Sequence, residues 1–149
     1  MTGEHPAEEV WRLMRALVLD NDRRADVCAA LGLSFGRIRA LRRIAEGPLS
    51  MGALAAALST DGPYVTVLVD SLEEEGLVER RPHPEDRRAK LVVATERGLA
   101  EGRRATAILE TPPAALRALA PADIDELLRI LRSAGPAVGA SELAIGRTR

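Results

Sequence analysis

Cysteine, histidine and long apolar runs are scarce in this chain of 149 residues, and each shortage excludes a class of protein. Cys28 is the only cysteine, so neither an intramolecular disulfide nor a cysteine-cluster metal site can form. Its neighbours in sequence are apolar, which indicates a packed, inert thiol. No early apolar run is long enough for a signal peptide, and none approaches the length of a membrane-spanning helix. This predicts a cytoplasmic protein with no membrane partner.

Catalytic motifs are also missing from the sequence. The only histidines are His5 and His83, and neither lies beside Cys28 or another nucleophile in the fold inferred below. There is no Gly-rich phosphate loop, no HExxH motif and no paired-cysteine spacing. We therefore expect no enzymatic activity, no bound metal and no cofactor.

Positive charge is distributed unevenly along the chain. The length is that of one domain, and the net charge is only −1, so any binding to DNA must depend on local asymmetry. No Lys or Arg occurs between Arg43 and Arg80, whereas residues 80–90 contain five. The cations that could meet phosphate are therefore concentrated in one short segment.

A well-bounded helix is predicted over residues 61–75. Asp61 is a suitable N-cap, and Gly76 a suitable stop. The apolar residues recur at i, i+3, i+4 and i+7, which places one stripe against a core. The stripe consists of Val65, Leu68, Val69 and Leu72. The opposite, outward face carries Pro63, Thr66, Val67 and Asp70, flanked by Tyr64 and Ser71.

A short Ala-rich helix, from Ser50 to about Leu58, precedes it. Only three residues separate the two helices, and so short a turn forces them to cross steeply. This is the helix-turn-helix arrangement, which presents its second helix to a DNA major groove. Many corners of helical bundles share the pattern, so the two helices alone leave both interpretations open.

The segment that follows, residues 77–94, is predicted to form a basic hairpin. Leu77-Val78 and Leu91-Val92-Val93 are short β-prone runs around a polar loop with two prolines. The loop and its flanks carry five cations against three carboxylates. A protruding basic loop can bind phosphate, and an Arg at its tip can enter a minor groove.

The run LVERRPHPEDRRAKLVVATERG resembles the wing of the multiple-antibiotic-resistance regulator (MarR) family of winged helix-turn-helix transcription factors. The preceding VTVLVDSLEEEGLV resembles that family's recognition helix, and the likeness extends over residues 8–133. It implies a single domain, 1–149, that is mainly α-helical with a small β-wing. The winged helix-turn-helix lobe would cover residues 34–94, with the recognition helix at 61–75 and the wing at 77–94. Residues 7–31 and 95–149 would form a helical dimerisation lobe.

The resemblance also implies which residues meet double-stranded DNA. Arg87 or Arg88 would reach the minor groove, while Asp86 would brace the wing by pairing with Arg88 or a neighbouring basic residue. The candidate DNA-binding residues are Ser50, Thr60, Asp61, Gly62, Pro63, Tyr64, Thr66, Val67, Ser71, Arg80, Arg81, Arg87, Arg88 and Lys90.

One departure from the family concerns the outward face of the recognition helix. Relatives usually carry an Arg or another polar residue where this chain has Val67, and often a second Arg where it has Ser71. The face that would enter the groove is therefore nearly uncharged. Val67 could touch a thymine methyl, or it could simply be an exposed apolar residue. We expect the affinity to depend on the wings more than in typical relatives.

The flanking helices are predicted to pair two subunits. An amphipathic helix is expected from Ala7 to about Leu31, and further helices from Thr95 to about Thr111 and from about Pro121 to Ser133. A helix from Phe35 to Glu46 carries four outward arginines, which could approach DNA or another subunit but which we interpret as a solvated face. The tail from Gly135 is expected to be irregular, with Leu143 and Ile145 able to pack on a partner.

The resemblance implies a homodimeric repressor that a small-molecule effector releases from a pseudo-palindromic operator. The candidate ligand-binding residues are Trp11, Met14, Val18, Phe35 and Ile38, all of which could equally be plain core. The alternative function is a dimeric winged-helix module that binds another protein and has lost its contact with DNA. The nearly uncharged recognition helix keeps that alternative open.

Overall fold

The computed structural model describes residues 5–134, which form eight helices and three short strands. The predicted fold class is confirmed, because the chain is mostly helical and has one small antiparallel sheet. The predictions for Leu143, Ile145 and the rest of the tail lie outside the described residues. The elements are α1 (Pro6–Leu19), α2 (Arg24–Leu31), α3 (Phe35–Ala45), β1 (Leu49–Ser50), α4 (Met51–Leu58), α5 (Gly62–Glu74), β2 (Val78–Pro82), β3 (Lys90–Ala94), α6 (Glu96–Leu109), α7 (Ala114–Arg117) and α8 (Pro121–Ser133).

The core lies where α3 packs against α4, α5 and α6. From α5 it receives the stripe predicted from the sequence, Val65, Leu68, Val69 and Leu72, all of which are buried. From α3 it receives Ile38, Ala40, Leu41 and Ile44. Phe35 is only partly buried at its margin. The helix-turn-helix pair, α4 and α5, therefore packs its buried side against α3.

Besides the cap that His5 provides for α1, side-chain caps begin four helices around the core. The oxygen of Ser34 accepts the Arg37 amide hydrogen, and that of Ser50 accepts the Ala53 amide hydrogen. Asp61 and Thr95 cap α5 and α6 in the same way. These caps fix the boundaries of the elements that surround the core.

The first helix is not continuous, which corrects the expectation of one helix from Ala7 to Leu31. It is interrupted between Leu19 and Arg24. The side-chain amide of Asn21 donates to the Leu17 carbonyl oxygen at 2.8 Å, and Asp22 accepts the Arg24 amide hydrogen at 2.9 Å. Short polar side chains of this kind compete with the helical hydrogen bonds of the backbone. No glycine or proline marks this interruption in the sequence.

The arginines of α3 do not form a purely solvated face. Arg37 pairs with Glu75 at 3.3 Å, and Arg42 donates to the Thr106 hydroxyl at 3.0 Å. Only Arg43 pairs within its own turn, with Glu46. The first two side chains connect α3 to α5 and α6, so this helix is bonded to both of its larger neighbours.

The sheet has the strand order β1-β3-β2, and β2 and β3 form the hairpin predicted at residues 77–94. Its first strand was not predicted: Leu49 and Ser50 pair with Val92 and Leu91. This pairing attaches the start of α4 to the base of the hairpin. The helix-turn-helix and the wing are consequently one connected unit.

The N-terminal and C-terminal helices expose their apolar side chains in the single chain. Neither α1 nor α8 contains a buried residue. Trp11 is 62% exposed and Val18 is 71% exposed. Leu128 and Ile130 of α8 are also exposed. These two helices therefore carry apolar surface that the rest of the described chain does not cover.

Within residues 5–134, no single helix is both long enough and apolar enough to cross a membrane. Only α4 and α5 taken together reach that length and composition, and they are separated by a bend of 108°.

Candidate nucleic-acid interface

The turn between α4 and α5 sets the direction of the outward helix. The chain bends by 108° there, within the range typical of a helix-turn-helix. Ser59 adopts the left-handed conformation, with φ of 52°, and the Thr60 amide donates to the Ala55 carbonyl at 3.0 Å. This turn leaves the face of α5 opposite its buried stripe open to solvent.

The outward face of α5 has the residues that the sequence predicted. Pro63, Thr66, Val67 and Asp70 are exposed, and Val67 is exposed over 64% of its surface. Ser71 lies half-buried at the edge of this face. No Lys or Arg occurs on the helix, so its exposed face offers hydroxyl, apolar and carboxylate groups only.

Several polar groups near the start of α5 are engaged within the protein. Asp61 accepts the Tyr64 amide hydrogen at 2.8 Å, and the Thr66 hydroxyl donates to the Gly62 carbonyl at 3.0 Å. The Tyr64 hydroxyl lies against α3, only 2.5 Å from the point where a Cβ on Gly36 would stand. Tyr64 and Thr60 line a cavity of about 160 Å³ beside α3. In this conformation Asp61 acts as a helix cap and the Tyr64 side chain lies against α3.

The tip of the wing is closed by its own backbone. The His83 amide donates to the Ala89 carbonyl, and the Ala89 amide donates to the Asp86 carbonyl, both at 3.1 Å. The Asp86 carboxylate accepts the Arg88 backbone amide hydrogen at 2.9 Å. Asp86 therefore bonds the main chain of Arg88, and it makes no ion pair with a basic side chain within residues 5–134. That arrangement leaves the guanidinium of Arg88 available.

Three cations of the wing extend into solvent. Arg87, Arg88 and Lys90 are exposed, and their side chains make no hydrogen bond or ion pair with residues 5–134. Arg88 and Lys90, together with Ala89 and the partly buried Arg80, line an open cleft of about 400 Å³ whose other wall is Ser50, Met51 and Gly52, at the start of α4. Met51 and Gly52 belong to this cleft although the sequence analysis did not select them. The start of α4 and three cations of the hairpin thus border one open space.

Arg80 and Arg81, which were predicted to bind DNA, both form ion pairs within the chain. Arg80 bonds Asp70 at 2.5 Å and Glu73 at 2.9 Å, and Arg81 pairs with Glu79 on its own strand. Burial alone would lower the pKa of Arg80, but the hydrogen bonds and charges of Asp70 and Glu73 raise it above its ordinary value. The two arginines differ, since Arg81 is exposed and its pairing is local.

The five candidate ligand-binding residues do not lie together in the single chain. Trp11, Met14 and Val18 are exposed on α1, and Phe35 is half-buried at the margin of the core. Ile38 has no exposed surface, so no ligand can reach it in this conformation. A separate groove of about 510 Å³ runs between α3 and α6. Its walls include Arg42, Arg103, Thr106 and Glu110.

Comparison with known proteins relates this geometry to one family of regulators. Residues 31–89 match the model of the MarR family. An uncharacterized HTH-type transcriptional regulator of Mycobacterium bovis is 39% identical over 67 residues, which are 44% of this chain and 47% of that relative. The chain thus aligns with about half the length of the curated relatives that it matches. They are named as regulators rather than enzymes, in agreement with the expectation that the chain is not an enzyme.

Solved structures extend the likeness over most of the chain. The crystal structure of RV1404 from Mycobacterium tuberculosis is 25% identical and superposes with a TM-score of 0.70, over 92% of this chain and 97% of that one. A mutant of MarR from E. coli, solved in complex with operator DNA, is 23% identical and has a TM-score of 0.57. The match covers 86% of this chain and 94% of that one. At that identity, the second likeness shows the fold alone.

Proposed function

Because the chain belongs to the MarR family, we propose that it is a homodimeric, sequence-specific DNA-binding regulator of transcription. The observation that carries this proposal is the exposed wing cations, Arg87, Arg88 and Lys90, in one unit with the outward face of α5. Lys90 and Arg88 face the start of α4, and β2 is bonded to α5 through Arg80. A DNA duplex has phosphates on both sides of each groove, so this combination suits a helix in the major groove and a wing beside it.

The two parts of the interface would have different tasks. The wing cations release counterions from phosphate, which provides affinity that depends strongly on salt. The face of α5 is nearly uncharged, so it would contribute shape and contacts to base edges, with Val67 placed to meet a thymine methyl. The position of Arg87 and Arg88 at the wing tip suits insertion into the minor groove.

Dimerisation is supported by the uncovered apolar surface of α1 and α8. A second copy that packs there would bury side chains such as Trp11 and Val18, which lack cover in the single chain. Residues 7–31 and 95–149 would then form the dimerisation lobe, and residues 34–94 the DNA-binding lobe. A two-fold axis presents two recognition helices to successive major grooves about 34–36 Å apart, so the operator would be a pseudo-palindrome.

Repression and release by a small molecule are part of the same proposal, as is location in the cytoplasm, where such a regulator meets its DNA. A ligand between the two lobes would change the spacing of the recognition helices, and a few kcal/mol of differential affinity is enough to release DNA. The proposed pocket is formed by Trp11, Met14, Val18 and Phe35, with walls from the partner subunit.

The rival function is a dimeric protein-interaction module without DNA binding. One observation favours it: the exposed face of α5 carries Val67 and Tyr64 but no cation. Such a face could bind an apolar protein surface. The two functions differ in what they require of the wing, because a protein-binding α5 has no need of three unpaired cations.

The test is the double substitution Arg87→Ala/Arg88→Ala. It removes two cations per subunit that have no partner within the described chain, so folding and dimerisation should be unchanged. We expect affinity for a defined DNA site to fall about 100-fold at physiological salt, and the slope of log affinity against log salt to decrease by about two to four. The measurement is fluorescence anisotropy over a salt series, with dimer mass checked by light scattering.

A matched control is Arg103→Ala/Arg117→Ala. Both residues are exposed and lie on α6 and α7, outside the wing. This variant loses the same charge and should bind DNA within about twofold of the parent protein. If the wing variant bound the same site with unchanged affinity, the role proposed for Arg87 and Arg88 would be wrong.

A further inference from the structure

Helix α5 presents an electrostatic problem for DNA binding. It carries no cation, and Asp70 lies on its outward face. Glu73, Glu74 and Glu75 follow in its last turn. A carboxylate that lies near a DNA phosphate is repelled by it. At separations below a Debye length, which is about 8 Å at physiological salt, dissolved ions screen that repulsion only in part. An α5 that enters a groove therefore needs these charges to be compensated from elsewhere in the protein.

Arg80 compensates two of them at once. Its Nη2 donates to Asp70 Oδ1 at 2.5 Å, and its Nη1 donates to Glu73 Oε1 at 2.9 Å. Its backbone amide also donates to Glu73 Oε2 at 3.0 Å. The Arg80 side chain is only 20% exposed, although it belongs to the wing strand β2. Three bonds therefore join the base of the wing to the acidic half of α5.

A third carboxylate of α5 is compensated by another element. Arg37 of α3 pairs with Glu75 at 3.3 Å. Among the carboxylates of Asp70, Glu73, Glu74 and Glu75, only that of Glu74 has no side-chain partner within residues 5–134. Of these four carboxylates, that of Asp70 lies closest to the centre of the outward face, and it is the one that Arg80 bonds together with Glu73.

We propose that Arg80 is a positioning residue that acts through Asp70 and Glu73: it cancels their charge and holds them away from phosphate, and it does not itself bind DNA. The inference rests on the proposed function, and it replaces the role of DNA contact that the sequence suggested for this residue. Arg80 has two N–H donors committed to carboxylates that already neutralise it. A phosphate at Arg80 would therefore compete with two carboxylates for one positive charge, whereas the side chains of Arg88 and Lys90 have no such partner within residues 5–134.

A double-mutant cycle separates the two roles. The variants are Arg80→Gln, the neutral and nearly isosteric pair Asp70→Asn/Glu73→Gln, and the triple combination. Binding to a defined DNA site is measured by anisotropy over a salt series. We expect Arg80→Gln to weaken binding about tenfold, since two uncompensated carboxylates then face DNA. In the background without the two carboxylates, the same change should alter affinity by less than about threefold.

Three results would overturn the proposal. If Arg80→Gln weakened binding equally in both backgrounds and lowered the salt slope by about one per contact, Arg80 would be a phosphate ligand. If Asp70→Asn/Glu73→Gln alone bound as weakly as Arg80→Gln, the carboxylates would be needed for more than compensation of their charge. If Arg80→Gln changed affinity no more than Arg43→Gln does, the bonds from Arg80 to Asp70 and Glu73 would have no effect on DNA binding. Arg43 is a matched control, because it pairs with Glu46 on α3 and lies outside the wing.

Hydrogen–deuterium exchange gives a readout that needs no DNA. The Arg80 amide is bonded to Glu73, so we expect Arg80→Gln to accelerate exchange in residues 78–82 at least about threefold. Unchanged exchange would contradict the positioning role. If the parent protein bound no DNA at all, the proposed function would fail, while this exchange measurement would still decide whether Arg80 holds the wing to α5.

Discussion

Replacing Gly98 with alanine should force α6 away from the base of the wing. Gly98 is buried in the first turn of α6, and a Cβ built there would stand 1.8 Å from the carbonyl oxygen of Leu77 and 2.8 Å from its carbonyl carbon. Both atoms are backbone, so no side-chain rotation can relieve the overlap. The only remedy is a movement of the helix or of the strand that it contacts.

The size of the effect follows from that geometry. Ordinary contact begins at about 3.4 Å, so the two segments must separate by roughly 1.5 Å. Such a shift disturbs the hydrogen bond from the Thr95 amide to the Leu77 carbonyl, now 3.0 Å, and that from the Thr95 hydroxyl to the Gly76 carbonyl, now 2.7 Å. Overpacking of this kind costs about 1–3 kcal/mol, and each weakened hydrogen bond about 1 kcal/mol. Alanine recovers at most about 1 kcal/mol of helix propensity. We expect a net loss of about 2–4 kcal/mol in the free energy of unfolding.

Urea unfolding followed by circular dichroism, at one fixed protein concentration, measures this loss. The matched control is Gly52→Ala in α4, where, apart from its chain neighbours and the backbone of its own helix, no atom of residues 5–134 lies within 4 Å of the added Cβ. That change should be neutral or stabilise the protein by about 0.5–1 kcal/mol, because it removes only the flexibility of glycine. The reasoning would be refuted if the two alanine variants unfolded at the same urea concentration.

Two further predictions concern the exposed face of α5 and its N-cap. Val67→Ala should weaken DNA binding about fivefold at sites with a thymine opposite this position, through lost apolar contact, and should leave the salt slope unchanged. Binding selections with both proteins would test this, and an unaltered sequence preference would remove Val67 from base recognition. Asp61→Ala should lower the free energy of unfolding by about 1 kcal/mol, since it removes the cap on the Tyr64 amide, whereas Asp61→Asn should retain most of the stability. Equal losses from both changes in urea unfolding would show that the cap is not the cause.

The helix-turn-helix could be predicted from the sequence because its signals are local. The buried stripe of α5, its cap at Asp61 and the stop at Gly76 are all encoded within 16 residues. The hairpin has similar local signals, and both of its strands fall within the predicted range 77–94. Elements of this kind need no knowledge of distant contacts.

The features that the sequence did not reveal depend on contacts between distant residues or on competition with the backbone. Arg80 is seven and ten residues from Glu73 and Asp70, and only the register of the hairpin brings it beside α5. From the sequence alone, it is one more arginine in a basic loop. The interruption of the first helix depends on hydrogen bonds of Asn21 and Asp22 that periodicity does not reveal. The two-residue strand β1 forms only because β3 pairs with it.

The ligand-binding residues could not be predicted reliably for a different reason. The family resemblance suggested Ile38 together with Trp11 as lining residues of one pocket, although Ile38 is fully buried and Trp11 is 62% exposed. Periodicity identifies a face of a helix, but it does not tell whether that face meets the core of its own chain or a second subunit. The groove between α3 and α6, lined by Arg42 and Thr106, has no local signal in the sequence.

The most direct test of the central proposal is selection of genomic fragments from the source organism by the purified protein, followed by anisotropy titration of the best fragment over a salt series. The account predicts enrichment of a pseudo-palindrome whose half-sites lie about one helical turn apart, bound with a Kd in the nanomolar range. It also predicts a steep loss of affinity with salt, which Arg87→Ala/Arg88→Ala makes shallower. No enrichment, or weak binding without sequence preference, would contradict the proposal of a sequence-specific regulator and would favour the protein-interaction module.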